Sequence, residues 1–391
     1  MRARGGGAPA VARVTLVARG RSGDLSGAWH RIVAGEETGG AGRAARAFLR
    51  AGACIYGVGV AANRAFYDRG IIRPARAPQF VVGVGNLTLG GTGKTTTSRF
   101  LAAQMLLRGL RPAVVLRGYR RAGSEAVQLV SDGKGIIATP QEAGDEAFML
   151  ARALPRIAVA VGKRREQVCA DLLAGVADVV ILDDAFQYWR LAKDYEIVLL
   201  DATRPTDLTR LFPAGALREP LRALRRASAV WLTRVDQAAP EVLARLRGMA
   251  RDATGEAPVE ARHRPASLRG LVSGDEMPPD ALRGRVVGAL SSVGNPASFE
   301  QSLRDLGADR VVPIRFPDHH SYAADELSAA LEAALEDGAE IVVTTEKDAV
   351  RLPDADGLES ACVLTVELEI LAGGESVERA MTMAERARDG R

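Results

Sequence analysis

The chain has 391 residues, of which 47% are hydrophobic and 26% charged, with a formal net charge of +4 at pH 7. This composition is that of a folded globular protein of about two domains, and it excludes wholesale disorder and a polytopic membrane protein. The small net charge gives little support for nucleic-acid binding, and three widely spaced cysteines indicate a reducing, cytoplasmic compartment rather than a zinc site or disulfide framework.

The N-terminal part of the chain is basic. Residues 1–40 are rich in Gly, Ala and Arg, with little periodicity, and are predicted to form a mobile tail. Residues 41–73 have the periodicity of a basic amphipathic helix, with apolar residues such as Phe48 and Phe66 set against arginines such as Arg43. Such a helix can pack on the core or lie in a membrane interface. No run of about 18 or more apolar residues is present, so any membrane contact is predicted to be peripheral.

Residues 74–236 alternate between strand and helix patterns. The first strand, at 80–85, is continuously apolar, which is typical of a strand buried on both faces of a parallel sheet, and a helix is predicted at 96–107. Further strands are predicted at 113–116, 157–161, 179–182, 197–200 and 229–232. The alternation predicts an α/β fold with a mostly parallel sheet, in which ligands bind at the carboxyl ends of the strands.

The rest of the chain restarts this alternation after a break. Residues 237–284 are rich in Pro and Arg and are predicted to be a connector. Residues 285–391 are predicted to form a second, smaller α/β domain. Its predicted strands are at 286–290 and 341–345, and its predicted helices are at 296–306 and 322–335.

A glycine-rich loop follows the first strand and precedes its helix, the context that a phosphate-binding loop requires. Its amides can surround phosphate oxygens, Lys94 can neutralise the β and γ phosphates, and the Thr95 hydroxyl can bind Mg²⁺. The nucleotide-binding residues are predicted to be Thr88, Leu89, Gly90, Gly91, Thr92, Gly93, Lys94 and Thr95. Thr88 stands where the commonest form of the motif has glycine.

Two acidic pairs are candidates for the reaction centre. Asp183 and Asp184 end an apolar strand, where P-loop enzymes hold an acidic residue near Mg²⁺, although strand-end aspartates also cap helices. Asp145 and Glu146 begin a helical pattern, and by themselves they indicate only an acidic first turn.

Three loops carry further candidates. Arg218 and Glu219 can contact phosphate or form a solvated ion pair. His319 and its neighbour His320 are typical of a surface loop, although a histidine can orient a carboxylate base. The segment 344–348 ends a predicted strand, and its role is open.

Together these segments resemble the tetraacyldisaccharide 4'-kinase family of lipid A biosynthesis. The resemblance runs from about residue 45 to 352, in order and at similar spacing, and its segments are GNLTLGGTGKT (85–95), LRGYRR (116–121), GDE (144–146), DDAFQYWRLAKD (183–194), DATRP (201–205), PAGALREP (213–220), FPDHHSY (316–322) and TTEKDAVRL (344–352).

The resemblance implies a P-loop kinase that uses Mg²⁺ and ATP to phosphorylate the 4'-hydroxyl of a tetraacylated disaccharide 1-phosphate. It also implies a peripheral enzyme on the cytoplasmic face of the bacterial inner membrane, with the basic helix as an interfacial anchor. No nucleic acid and no obligate protein partner are expected.

The resemblance also assigns roles to single residues. It makes Asp145 the catalytic base and His319 the partner that orients this base. Lys94 is the third predicted catalytic residue. The metal ligands it implies are Thr95, Glu146, Asp183 and Asp184. The substrate contacts are predicted to be Asn86, Arg117, Gln187, Tyr188, Arg218 and Glu219. Because His319 belongs to the predicted second domain, domain closure is expected to complete the site and exclude water.

The chain departs from the family pattern at two positions, since many members have DDGFQH where this chain has DDAFQY. Tyr188 cannot supply an imidazole, although its hydroxyl can hydrogen-bond a sugar or phosphate oxygen. Ala185 in place of glycine predicts a turn that needs no positive φ at this position.

Two other functions compete with this interpretation. Thr233 to Asp236 faintly resembles the TKxD motif that reads guanine, which would favour a P-loop GTPase or metallochaperone-type regulator. Arginines such as Arg164 and Arg165 raise the alternative of a nucleic-acid-dependent ATPase, but no aromatic residues are interleaved with them to stack on bases.

Overall fold

The computed structural model describes residues 29, 31–33, 35–37, 39–119, 121, 126–293, 296–317 and 320–390. These residues fall into two compact units. The larger unit contains the described residues of 22–264 together with 366–391, and the smaller unit contains those of 265–365. The chain passes from one unit to the other within two long strands.

The larger unit contains most of the regular structure. Its helices are α1 (Gly40–Asp68), α2 (Lys94–Leu107), α3 (Pro140–Ala143), α4 (Asp145–Ala153) and α5 (Pro240–Thr254). Its strands are β1 (Phe80–Asn86), β2 (Pro112–Leu116), β3 (Val127–Asp132), β4 (Ala158–Gly162), β5 (Val179–Asp183), β6 (Tyr195–Asp201), β7 (Ala229–Thr233) and the first part of β8 (Val259–Gly270).

The smaller unit repeats the strand–helix alternation. It contains β9 (Glu276–Met277), β10 (Val286–Ser291), α6 (Pro296–Asp305), β11 (Arg310–Arg315), α7 (Ala324–Glu336), β12 (Ile341–Thr345), α8 (Glu346–Ala349) and the start of β13 (Ala361–Ala372). Helix α9 (Gly374–Asp389) follows β13 and belongs to the larger unit. In the smaller unit the strand order is β11–β10–β12–β13, with parallel pairing throughout.

The sheet of the larger unit places β1 near its centre. The strand order is β8–β7–β6–β1–β5–β2–β4–β3, and every pair is parallel except β3 with β4. All seven residues of β1 are buried, which explains its uninterrupted apolar pattern. Because β1 lies between β5 and β6, the segments that follow these strands meet at one edge of the sheet. The predicted P-loop-type α/β fold is confirmed.

Helix α1 divides its apolar residues between two faces. Tyr56 and Ala53 face the larger unit, whereas Phe48, Ile55 and Phe66 are exposed. The exposed residues are spaced by 7 and 11, close to two and three helical turns, and therefore form one stripe. The predicted helix is thus present, and it both packs on the core and leaves an apolar face uncovered. Within the described part of the chain, no helix is both long and apolar enough to cross a membrane.

The segment 237–284 is not the loose connector that its composition predicted. It contains α5, β8, β9 and a short 3₁₀ helix. Polar side chains alternate along β8, in the sequence VEARHRPASLRG, so the continuous apolar pattern of the central strands is missing. Two of its arginines are held by glutamates of β13, Arg262 by Glu369 and Arg264 by Glu367. Pairing across strands, which a local pattern does not contain, makes this segment a strand.

The C-terminal end also differs from the prediction, which placed all of 285–391 in the second domain. Residues 366–391 belong to the larger unit. Val377, Ala380, Met381 and Ala384 of α9 recur at helical spacing and join the core cluster that contains Phe80 of β1. The Tyr195 hydroxyl also meets Ser376 at 2.9 Å. Burial of this stripe explains why the last helix packs with the first-domain sheet.

Candidate active site

The glycine-rich loop connects β1 directly to α2. Thr88 is buried and pairs with Leu217 in an isolated antiparallel bridge, so it adopts the extended backbone of a strand residue and needs no glycine. Gly93 precedes the first helical residue, Lys94, with φ +86°, a conformation that L side chains rarely adopt. The positive φ of Gly93 lets the chain turn into α2, whose N-terminus favours an anion.

Residues at the carboxyl ends of β6 and β7 hold the loop. The Thr233 hydroxyl donates to the carbonyl of Thr92 at 3.1 Å, and Arg234 donates to the carbonyl of Gly91 at 3.2 Å. Arg234 also forms an ion pair with Asp201. In the sequence, Thr233 and Arg234 are part of a faint resemblance to a guanine-reading motif. In the structure they support the phosphate-binding loop.

Asp184 is the acidic residue that contacts the loop lysine. The Lys94 ammonium lies 3.6 Å from Asp184 Oδ1, and the Arg218 guanidinium donates to both carboxylate oxygens, at 2.9 and 3.1 Å. Burial opposes ionisation, but Lys94 and Arg218 outweigh it and hold the pKa of Asp184 below its ordinary value. Asp184 itself has φ 52°, and Ala185 does not have a positive φ, as the sequence predicted.

Asp183 has the opposite electrostatic character. Burial, followed by the nearby Glu146, raises the pKa of Asp183 to about 6, although Lys94 and the Thr95 hydroxyl partly oppose the shift. Among the described residues, its Oδ2 atom is buried and has no hydrogen-bond partner. A buried carboxylate oxygen without a partner is the kind of acceptor that a cation or a donor on a ligand satisfies.

The predicted magnesium ligands fit this arrangement in part. Within the described ranges, no group of three or more His, Cys, Asp or Glu side chains is placed to hold a metal ion. Mg²⁺ in kinases is usually held by only one or two protein carboxylates, with phosphate oxygens and water completing the shell. Asp183, Thr95 and Glu146 fit such a site, whereas Asp184 is already engaged by Lys94 and Arg218.

Asp145 and Glu146 are the first two residues of α4. They form the acidic first turn that the pattern alone indicated, and Gly144, which precedes the helix, provides no side-chain cap. A true capping box lies just upstream, where Thr139 and Glu142 cap α3 reciprocally. Asp145 is partly buried and Glu146 is exposed at the N-terminal turn of α4.

Gln187 links two predicted substrate residues. Its side-chain amide donates to the Asn86 carbonyl at 3.0 Å, and its Oε1 accepts from Arg218 at 3.3 Å. Asn86, the last residue of β1, is buried and donates weakly to the Gly90 carbonyl. The structure thus brings Asn86, Gln187 and Arg218 together beside Asp184.

Tyr188 has a different environment from the one expected. Its hydroxyl accepts from the Arg165 amide at 2.9 Å and donates to the Glu166 carboxylate. Its ring lies under the Arg165 guanidinium, 4.9 Å from the centroid. Burial and Glu166 raise the pKa of Tyr188 to about 12. Since this hydroxyl is already engaged, direct contact with substrate stays a prediction, and the geometry favours support of Arg165.

Glu219 is engaged in an ion pair of its own in this structure. Glu219 is buried, and its two carboxylate oxygens accept from Arg226 at 2.8 and 3.0 Å. Arg226 in turn lies over the Phe186 ring at 4.2 Å. Glu219 therefore holds its loop in place in this structure. Arg117 is exposed just after β2.

His319 lies outside the described residues, so its predicted role stays a prediction. Its neighbour His320 is described within the smaller unit. The His320 ring contacts Glu326 at 2.9 Å and stacks on Phe316, and its carbonyl accepts from Arg351 at 3.2 Å.

Arg165 is a candidate functional residue that the sequence did not place among the predicted site residues. It is buried, its guanidinium donates to the Asp184 carbonyl at 3.1 Å, and its Nε atom has no partner in the described part of the chain. Burial lowers the pKa of Arg165, while Asp184 and Asp183 oppose that effect. The sequence signal that could have identified Arg165 is its position just after β4, at the carboxyl edge of the sheet. In that sheet, β4 is separated from β5 by β2.

A phosphate-binding loop between a central parallel strand and a helix, with a lysine and two aspartates beside it, defines a nucleoside-triphosphate-dependent P-loop enzyme. The model of the tetraacyldisaccharide-1-P 4'-kinase family matches residues 45–384. The chain therefore belongs to this family of kinases, as its motifs predicted.

Individual relatives agree with this assignment. The tetraacyldisaccharide 4'-kinase of Anaeromyxobacter dehalogenans is 45% identical over 343 residues, which are 86% of this chain and 88% of that protein. The corresponding protein of Geobacter sulfurreducens is 39% identical and covers 84% of this chain and 90% of its own length. LpxK of Aquifex aeolicus, crystallised in complex with ATP, matches with a TM-score of 0.69 at 28% identity, over 87% of this chain and 99% of that chain.

Proposed function

We propose that this protein transfers the γ-phosphate of ATP to the 4'-hydroxyl of a tetraacyldisaccharide 1-phosphate, a step of lipid A biosynthesis. The observation that carries the proposal is the contact of Lys94 with Asp184 at the mouth of the phosphate-binding loop, in a chain of the tetraacyldisaccharide-1-P 4'-kinase family. The rival GTPase interpretation loses its main support, because Thr233 and Arg234 are engaged with the loop itself.

The triphosphate is bound by the loop. Main-chain amides of 88–95 and the N-terminus of α2 face the phosphates, and Lys94 neutralises charge on the β and γ groups. Arg218 and the buried Arg165 add positive charge beside Asp184. Charge that accumulates during phosphoryl transfer is thus met by cations that are already in place, which is the main source of catalysis in this reaction class.

Mg²⁺ is the metal that this site is proposed to use. Asp183, with its buried carboxylate oxygen, and the Thr95 hydroxyl would hold it, with Glu146 nearby. When bound, the ion would neutralise phosphate charge and lower the pKa of Asp183 from its raised value. Asp184 would remain with Lys94 and Arg218.

Asp145 is proposed to accept the proton of the sugar 4'-hydroxyl as that oxygen attacks the γ-phosphorus. Its position in the first turn of α4 places it directly beside Glu146, one of the proposed metal ligands. The bond that breaks joins the γ-phosphorus to the bridging oxygen of ADP. The role of His319 in orienting Asp145 rests on the resemblance alone.

The membrane surface is proposed to be the place where substrate is met. Helix α1 exposes Phe48, Ile55, Val58 and Phe66, and Arg43 and Arg50 are exposed on the same helix. An apolar stripe accompanied by arginines fits the boundary between acyl chains and anionic headgroups. A lipid disaccharide would remain in that boundary during phosphorylation. The protein would then be peripheral, on the cytoplasmic face of the inner membrane.

Transfer of labelled phosphate tests the function. Purified protein is given γ-³²P-ATP, Mg²⁺ and tetraacyldisaccharide 1-phosphate in detergent micelles, and labelled lipid is separated from nucleotide. Wild-type protein is expected to label the lipid with ATP and poorly with GTP. Asp145→Asn should lower the rate by at least about 100-fold while ATP still binds. If folded wild-type protein binds ATP but labels no lipid, the disaccharide is not the phosphate acceptor. A preference for GTP would favour the GTPase interpretation.

A further inference from the structure

Helix α1 is joined to the loop that carries Arg218 by one side-chain hydrogen bond. The Tyr56 hydroxyl donates to the Arg218 carbonyl at 3.0 Å. The Tyr56 ring meets Phe212 edge to face, with centroids 5.8 Å apart. Gly57, the next helix residue, lies so close to Leu211 that an added Cβ would sit 3.0 Å from Leu211 Cδ1. The helix is therefore closely packed on segment 211–218.

Segment 211–218 is in turn paired with the residues that lead into the phosphate-binding loop. The Arg218 amide donates to the Leu87 carbonyl at 2.7 Å, and the Leu89 amide donates to the Ala216 carbonyl at 2.8 Å. Both main-chain polar groups of Arg218 are thus engaged, one by the approach to the loop and one by Tyr56. Its peptide planes are consequently fixed from both sides.

The fixed main chain of Arg218 sets the point from which its guanidinium reaches Asp184. That group contacts Asp184 and Gln187, and Asp184 contacts Lys94. A rotation of the Arg218 peptide would move the Cα–Cβ bond and displace the guanidinium from Asp184. An error of about 1 Å in a positioning group can cost about 100-fold in rate.

We propose that Tyr56 is a positioning residue for phosphoryl transfer, because its hydroxyl holds the Arg218 main chain and thereby keeps the guanidinium on Asp184. This inference rests on the proposed function, in which Arg218 neutralises transferred charge. The same helix carries the exposed stripe of Phe48 and Ile55, so the placement of α1 on a lipid surface is coupled through Tyr56 to the phosphate-binding loop.

The hydroxyl is suited to a permanent contact. Burial raises the pKa of Tyr56, with Arg218 opposing and Glu219 adding to the shift. The group therefore remains a neutral donor throughout the physiological pH range. Its partner is a main-chain carbonyl, which does not titrate.

Tyr56→Phe removes the hydroxyl and keeps the ring. Tyr67→Phe is the matched control, since Tyr67 lies on the same helix, packs edge to face on Trp189 and has no hydrogen bond from its hydroxyl within the described residues. Tyr56→Phe is expected to lower kcat for lipid phosphorylation about five- to tenfold, the factor that one hydrogen bond of ordinary strength supplies. The Kd for ATP should stay unchanged, and Tyr67→Phe should match wild type.

A double-mutant cycle separates positioning from general loss of structure. With Arg218→Lys, the planar guanidinium is absent, so adding Tyr56→Phe should lower kcat by less than about twofold further. Additive effects of the two substitutions, or an unchanged kcat in Tyr56→Phe, would overturn the proposal.

Hydrogen exchange gives a readout that does not depend on the lipid substrate. Amides of 216–218 and Leu89 are expected to exchange faster in Tyr56→Phe than in wild type or Tyr67→Phe, with the helix content unchanged. If wild-type protein fails to phosphorylate the disaccharide, the proposed function is wrong. Hydrogen exchange still measures whether the Tyr56 hydroxyl stabilises segment 216–218. Faster exchange would show that Tyr56 holds the Arg218 main chain, and identical exchange would overturn the proposal whatever the substrate.

Discussion

Asp183 and Asp184 are adjacent residues with opposite electrostatic environments. Asp184 faces Lys94 and Arg218, which lower its pKa, whereas Asp183 is buried near Glu146, and its pKa is raised to about 6. The opposite pKa shifts assign different roles to the two residues, since a buried carboxylate whose pKa stays raised although Lys94 is near is the one that gains from a bound metal ion. In the sequence the two residues are equivalent members of one DD pair.

Substitution of Asp183 should stabilise the protein in the absence of metal and nucleotide. An aspartate whose folded pKa is raised costs stability above that pKa, and the cost disappears below the unfolded pKa near 3.8. Asp183→Asn is therefore expected to raise the free energy of unfolding by up to about 3 kcal/mol at pH 8, and by less than about 1 kcal/mol at pH 4. Urea denaturation at the two pH values measures the difference.

Asp184→Asn is the control with the opposite sign. Its carboxylate has a lowered pKa, so its contribution to stability is present above the unfolded pKa and is lost as pH falls through the folded pKa. The substitution should destabilise the protein at pH 8, and the loss should shrink in acid. Equal effects of the two substitutions at both pH values would contradict the assignment.

Residue roles were predictable where the reason was local. The order of glycines, Lys94 and Thr95 indicates a phosphate-binding loop from sequence alone. The partners of Glu219 and Tyr188 were not predictable, because Arg226 and Arg165 reach them only through tertiary packing. In the case of Glu219, the solvated ion pair that was left open is a buried pair in the structure.

At the scale of elements, the exposed stripe on α1 should drive attachment to vesicles. Phe48 and Ile55 are 80% and 75% exposed, so replacing them does not disturb the core. The double substitution Phe48→Asp/Ile55→Asp should weaken sedimentation with anionic phospholipid vesicles by at least about 100-fold, since each large apolar side chain contributes about 1.5–3 kcal/mol when buried.

A matched substitution outside α1 distinguishes loss of the apolar stripe from the general effect of adding negative charge to the surface. Leu107, at the end of α2, is 79% exposed and is not part of α1. Leu107→Asp should leave vesicle binding within about twofold of wild type, since losing a surface leucine outside the stripe removes no membrane contact. An equal loss of vesicle binding in Leu107→Asp, or full vesicle binding by the α1 variant, would show that α1 is not the membrane contact.

Elements were predictable to the extent that their patterns were strong. Strand β1 and helix α2 have long, uniform patterns, and the structure has them within a few residues of the predicted bounds. Helix α5 and strand β8 were missed because arginines interrupt their apolar residues. Their stability comes from packing and from ion pairs between elements, for example between Arg247 of α5 and Glu260 of β8.

At the scale of the whole molecule, family membership accounts for the order of all the motifs from residue 85 to 352. The family model reaches further, to residue 384, because α9 completes the core of the larger unit. The sequence placed this helix in a second domain because chain order is the only guide to domain membership without tertiary contacts. The division at Arg264 and Thr365 became evident only from three-dimensional packing.

The central claim is that phosphate is delivered to one hydroxyl of a lipid disaccharide, and the position of that phosphate tests it most directly. The lipid product of a reaction with ATP and Mg²⁺ should be examined by ³¹P–¹H correlation NMR. The account predicts a new phosphomonoester coupled to the 4' proton of the sugar, with the original 1-phosphate retained and one ADP formed for each product. A phosphate on another hydroxyl, or ADP formed without lipid phosphate, would contradict it.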